Sequence, residues 1–175
     1  MNSKKTNKSG WPVVRIWTDG SACPENPGPG GWATLLIHKA REELIGGSTP
    51  WSSNIRMELV AVLRGLQYLK RPSVVVVYTD SQYIVDGFRN ILYRNKLLKS
   101  HYDLWGLILH LSQIHTVKIS KVKAHSGNTN NERVDKEARE MAITQPGDEY
   151  ITTTEKILEE RKLREKGIEK KSWEY

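Results

Sequence analysis

The run Val74-Val75-Val76-Val77-Tyr78 constrains this chain more than any other segment. β-Branched residues without a polar break favour a strand buried on both faces, and such strands occur in parallel sheets covered by helices. Helical patterns flank it. Leu59, Val60, Leu63, Leu66 and Leu69 follow the candidate caps Ser52-Ser53-Asn54, predicting a helix over 54–69. After the run, Thr79-Asp80-Ser81 makes a stop, and a helix is predicted from Gln82 to about Arg89.

The segments before this unit are of another kind. Val13 to Thr18 reads as a strand that ends at Asp19-Gly20-Ser21, followed by a turn-rich loop of prolines and glycines from Pro24 to Gly31. Trp32 to His38 and Glu43 to Gly47 follow as a second and a short third strand, joined as an antiparallel meander. Later, Tyr102 to Gln113 has a helical stripe and Val117 to Val122 reads as a strand. A last helix begins at Thr129 with a capping box, Thr129-x-x-Glu132. The predicted class is therefore α/β: a mixed five-stranded sheet, three strands antiparallel and two parallel, flanked by helices. One domain over 13–145 is expected, with a flexible lead-in over 1–12. A charged helical tail is expected over 146–175, since residues 151–175 carry seven lysines and arginines against six glutamates.

The formal charge of +7 leaves nucleic acid and mere solubility about equally open as explanations. No run is long and apolar enough to span a membrane, and no secretory pattern opens the chain. The single cysteine, Cys23, fits a reducing compartment, and a cytoplasmic monomer is expected.

Four acids stand out by position. Asp19 and Asp80 each follow a predicted strand, where ligands of such sheets gather. Glu58 lies early in the first long helix and Asp135 in the second turn of the last. Each alone is explained by turn formation or by the helix dipole. Together they are unusual, because converging carboxylates repel and call for a cation. Oxygen donors without a Cys/His cluster suit Mg²⁺ or Mn²⁺ rather than zinc.

Five blocks then carry a resemblance. Thr18-Asp19-Gly20-Ser21 with Asn26-Pro27-Gly28-Pro29-Gly30-Gly31, Asn54 with Arg56-Met57-Glu58-Leu59, and Thr79-Asp80-Ser81-Gln82-Tyr83 come first. Val122-Lys123-Ala124-His125-Ser126-Gly127 and Asn131-Glu132-Arg133-Val134-Asp135 complete them. In this order, over about Val13 to Ala142, the chain resembles the type 1 ribonuclease H family. The resemblance implies the ribonuclease H-like fold and an endonuclease that cuts the RNA strand of RNA–DNA hybrids, leaving 5′-phosphate and 3′-hydroxyl ends. It implies two Mg²⁺ ions, with Mn²⁺ as a substitute, on Asp19, Glu58, Asp80 and Asp135, and His125 assisting water activation or product release. It places Asn26, Asn54, Gln82 and the backbone around Cys23 near the RNA strand, and Ser53 at a DNA phosphate.

The chain also departs from the family pattern. Ile55 stands where many members carry Asn or Gln, and Trp51 where a basic residue is frequent. The segment from Phe88 to His101 is short, with only Arg89, Arg94, Lys96 and Lys99 as cations, so the lysines of 4–8 and the tail are expected to compensate. Two alternatives stay open: a catalytically inactive nucleic-acid-binding module of the same fold, and a transposase- or integrase-like two-metal enzyme. Retention of all four acids and His125 weighs against the first, and the hairpin and Asp-Ser-Gln-Tyr blocks against the second.

Overall fold

The computed structural model describes residues 10–94, 100–124 and 127–145. Most of the expected lead-in, the tail, Lys96, Lys99 and His125 therefore lie outside the described residues. The order is β1 (Val13–Ala22), β2 (Gly28–His38), β3 (Arg41–Ser52), α1 (Asn54–Tyr68), β4 (Val74–Thr79), α2 (Gln82–Arg94), α3 (Tyr102–Ile114), β5 (Thr116–Lys121) and α4 (Thr129–Thr144). The strands form one sheet in the order β3-β2-β1-β4-β5. β1–β2 and β2–β3 pair antiparallel, β1–β4 and β4–β5 parallel. The mixed sheet expected from the sequence is the one observed.

One sheet face is sealed by α1, α2 and α3. Val14, Ile16, Val75 and Val77 point into it and meet Leu59, Leu63 and Leu66 of α1 with Phe88 and Trp105, all at most 1% exposed. The other face is covered by α4, which lies over β1, β2 and β3 and closes a smaller cluster of Trp17, Ala33, Leu35, Val134 and Ala138. The Val74–Tyr78 run is thus buried on one face only. Val74, Val76 and Tyr78 are half-buried, because the helix on their side sits over the strands beyond them. Tyr78 covers itself by stacking on Trp17, with ring centroids 4.6 Å apart.

Several boundaries differ from the sequence expectation, among them the start of β2, at Gly28 and not Trp32. β1 does not stop at Thr18 but runs on through Asp19 to Ala22, because β2 continues to pair with it as far as Gly30. β3 extends to Ser52 although Gly46-Gly47 has little strand propensity, since β2 supplies its hydrogen-bond partners. α2 continues to Arg94. The cap of α4 is Asn128, whose side chain accepts from the Asn131 N–H, while Glu132 reaches back to the Gly127 N–H. At α1 the cap is Ser53, one of the three candidates, its hydroxyl accepting from the Arg56 N–H.

Two close approaches place helices against the sheet. A Cβ on Gly20 would lie 2.1 Å from the backbone nitrogen of Glu58, so the start of α1 presses directly on β1. A Cβ on Gly31 would lie 2.2 Å from the Ala138 carbonyl oxygen, which seats α4 on β2. Only glycine allows the backbones this near.

Candidate active site

The β1–β4 register runs from Val13 opposite Val74 to Trp17 opposite Tyr78. Carried two residues further, it brings Asp19 level with Asp80, just past the end of β4. Asp19 therefore sits inside a strand, yet at the point where its parallel neighbour has ended and left an open edge. Gly20 lets α1 bring Glu58 to this edge. The Ser81 hydroxyl donates to Glu58 Oε2 in a short hydrogen bond and also accepts from the Ile84 N–H at 3.4 Å, so one side chain both starts α2 and holds Glu58. α4 brings Asn131, whose Nδ2 donates to Asp80 Oδ2 at 3.0 Å, and one turn on Asp135, whose Oδ1 accepts from Arg139 Nε at 3.0 Å.

The electrostatics join the four acids. Burial pushes the Asp19 carboxyl up to about 8, and the charges of Asp80, Asp135 and Glu58 add to the rise against a Gly20 backbone hydrogen bond. Glu58 is pushed up to about 7, first by burial and then by Asp80, with the Ser81 hydroxyl opposing. Asp19 thus responds to each of the other three. Among the described residues no three His, Cys, Asp or Glu side chains close into a ready-made cage for one ion. The Coulombic coupling of Asp19 to Asp80, Asp135 and Glu58 marks the four carboxyl groups as neighbours. The donor set fits hard divalent cations: four carboxyl groups, with no thiolate and no imidazole among the described residues beside them. Asn131 Oδ1, buried and without a protein partner, adds an acceptor next to Asp80.

The residues expected at the RNA strand form a second group. Asn54 Oδ1 accepts from the Ala22 N–H at 2.5 Å, and Asn26 Oδ1 accepts from the Asn54 N–H at 3.1 Å. Both carboxamide oxygens accept from the backbone, which leaves the NH₂ groups as the donors these side chains can offer a ligand. The Cys23 N–H donates to the Pro29 carbonyl at 3.0 Å, and the half-buried thiol lies 4.0 Å from the Arg139 carbonyl oxygen. Ser53 sits at the N-terminus of α1 next to Asn54. Gln82 is engaged at both ends, its Oε1 by Lys121 Nζ and its Nε2 by Asp86 Oδ1, which orients the carboxamide while leaving a second N–H and a second lone pair for a ligand.

Sequence reasoning did not single out Ser81 or Asn131, although both lie inside the quoted blocks. It also missed the ion pair of Arg56 with Asp103 at 2.7 Å, which ties the first turn of α1 to that of α3. Half-buried and two-pronged, this pair fixes the start of the helix that carries Glu58.

A mixed five-stranded sheet with an acidic centre where its parallel strands begin to part defines the ribonuclease H-like class of α/β proteins. The family model described as RNase H matches residues 12–143, and the chain belongs to that family. Ribonuclease H of Legionella pneumophila (strain Lens) is 44% identical over 131 residues, covering 70% of this chain and 91% of that protein. Ribonuclease H of Thermus thermophilus is 43% identical over 143 residues, covering 75% and 85%. Among solved structures, LC9-RNase H1, a type 1 RNase H with the type 2 active-site motif, superposes with a TM-score of 0.68 at 25% identity, covering 84% of this chain and 81% of that one. LC11-RNase H1, solved with an RNA/DNA hybrid, shares the fold with a TM-score of 0.61 at 20% identity, covering 75% and 97%.

Proposed function

We propose that this chain is an endonuclease that hydrolyses the RNA strand of RNA–DNA hybrids at the Asp19–Glu58–Asp80–Asp135 centre, leaving 5′-phosphate and 3′-hydroxyl ends. The observation that carries this reading is geometric: the β1–β4 register brings Asp19 level with Asp80, Ser81 holds Glu58 beside them, and α4 brings Asp135 one turn beyond the Asn131 that bonds Asp80. Such a centre is held together at a cost unless cations fill it. The four carboxylates would hold two Mg²⁺ ions, with Mn²⁺ as a substitute. When bound, the ions supply the Lewis acidity that activates water and stabilises the leaving 3′ oxygen in an in-line displacement.

The chain's own groups do the rest. Asn131 orients Asp80, and Ser81 orients Glu58, so two of the four carboxylates are aimed before substrate arrives. Burial raises the carboxyls of Asp19 and Glu58, and bound cations would favour their ionised forms. The donors of Asn26 and Asn54 offer hydrogen bonds to ribose 2′-hydroxyls, which distinguish RNA from DNA. His125, which precedes α4 in the sequence, assists water activation or product release, the work of a group that exchanges protons near neutrality. Ser53 contacts a DNA phosphate, and Cys23 and Gln82 flank the RNA strand.

We further infer one ribonuclease H domain over 13–145, a 1–12 lead-in, and a charged tail over 146–175 whose lysines and arginines add affinity for the hybrid. The protein acts as a cytoplasmic monomer. Among the described residues no helix is long and apolar enough to cross a membrane.

Labelled RNA–DNA hybrid, duplex RNA and duplex DNA, incubated in parallel with Mg²⁺ or with EDTA, test the reading. RNA in the hybrid should be cut in Mg²⁺ alone. Binding without cutting would favour the inactive module, and cutting that survives EDTA would remove the metal assignment.

A further inference from the structure

The end of β5 carries a cation that the proposed chemistry leaves unused. Lys121 is the last residue of the strand and pairs with Thr79 of β4, the residue before Asp80. The Val122 N–H donates to the Thr79 carbonyl at 2.9 Å, so the two chains stay side by side past this point. Strands pair about 4.8 Å apart and rise about 3.3 Å per residue, which sets the Lys121 backbone about 6 Å from that of Asp80. Lys121 is exposed, and its Nζ donates to Gln82 Oε1 at the start of α2. Gln82 Nε2 in turn donates to Asp86 Oδ1 at 2.9 Å, an oxygen that also accepts from Arg89. Arg56, Arg89, Arg133 and Arg139 each face an acid. Lys121, by contrast, bonds among the described residues to a neutral amide. That bond fixes the ammonium without cancelling its charge, and it uses one of the three N–H donors.

We infer that Lys121 is a substrate-binding residue that contacts a phosphate of the RNA strand next to the one that is cut. The inference rests on the nuclease reading above. Four carboxyl groups gather at the centre, and their charges repel the phosphates of any strand laid across it. An ammonium with its charge uncancelled, held one strand away from Asp80, lowers that repulsion for the strand being cut. Its two remaining donors suit phosphate oxygens, which accept charge-assisted hydrogen bonds. Gln82 serves as a brace. Tied to Asp86 at its other end, it holds the long lysine stem in place, so less freedom is lost when substrate arrives. A contact between ammonium and phosphate displaces counterions and therefore depends on salt. A lysine that merely steadied Gln82 would act through the carboxamide and leave the salt dependence unaltered.

The test is binding of a fluorescent RNA–DNA hybrid in EDTA, which keeps it intact, over a series of salt concentrations, with KM and kcat measured in Mg²⁺. Lys121→Gln should weaken binding about fivefold at low salt and make the plot of log affinity against log salt shallower by roughly 0.7 to 0.9, the mark of one phosphate contact. Lys121→Arg should keep the wild-type slope. KM should rise more than kcat falls. The change of slope should persist when Lys121→Gln is combined with Gln82→Ala, because the lysine itself makes the contact. An unchanged slope, or a loss that vanishes in the Gln82→Ala background, makes Lys121 a brace only and overturns the inference, while wild-type cleavage of hybrid leaves the nuclease reading intact. A wild type that neither binds nor cuts hybrid overturns the nuclease reading first, and this inference with it.

Discussion

The backbone nitrogen of Glu58 sits 2.1 Å from the place where a β-carbon on Gly20 would stand. The absence of one methyl group therefore decides how near the first helix comes to the first strand. Gly20→Ala should push α1 off β1, destabilise the protein by about 2 kcal/mol or more, and move Glu58 away from Asp19. Melting temperature and kcat should fall together. A variant that is destabilised yet turns over normally would mean that this close approach sets stability and not the geometry of the centre.

Asp80 projects from the end of β4 and accepts from Asn131. Asp80→Asn keeps the size of the side chain while removing its charge. Turnover in Mg²⁺ should fall by about three orders of magnitude, an amount equivalent to roughly 4 kcal/mol of transition-state stabilisation. Circular dichroism should show an intact fold. Full activity would contradict the assignment of this carboxylate to the metal site.

The raised carboxyls make a signed prediction about pH. Asp19 is pushed from 3.8 to about 8 and Glu58 from 4.5 to about 7. The folded state holds these protons more tightly than the unfolded chain. Their contribution to stability is complete below about pH 4 and is lost as pH rises toward 8. Each proton contributes a slope of at most about 1.4 kcal/mol per pH unit. Thermal melts in EDTA should show this decline, superimposed on the other titrations. Asp19→Asn should flatten it and raise the melting temperature at pH 8. Mg²⁺ should stabilise the wild type most at the alkaline end, where it meets the least competition from protons.

His125→Ala should slow turnover of the hybrid while leaving measurable cleavage, since the histidine assists and does not hold the ions. The loss should be about a hundredfold, at the lower end for a positioned general acid–base group. Complete inactivity would assign it a larger part.

Removing residues 151–175 deletes seven lysines and arginines. Hybrid affinity should fall, and the plot of log affinity against log salt should become shallower by about 0.9 for each phosphate that the tail neutralises. Unchanged affinity and slope would remove the tail from the binding surface.

The parts of this centre legible in the sequence are those fixed locally. The Val74–Tyr78 run ends in Thr79-Asp80-Ser81, which is enough to place Asp80 beyond a strand. The Ser53 cap sets the phase of α1 and puts Glu58 in its early turns. Asp19 is harder. Its strand continues through Gly20, Ser21 and Ala22 because β2 pairs with it there, and no local propensity announces that pairing. The bonds of Asp80 with Asn131 and of Arg56 with Asp103 join residues 51 and 47 positions apart, so only the folded chain reveals them. His125 and the tail rest on sequence alone.

The hydrogen bond from Asn131 to Asp80 has a consequence for how activity arises during synthesis. The sheet draws on residues up to Lys121, but Asp135 and the group that steadies Asp80 both belong to α4. Asp135 and Asn131 therefore reach the centre only once α4 has docked over Gly31.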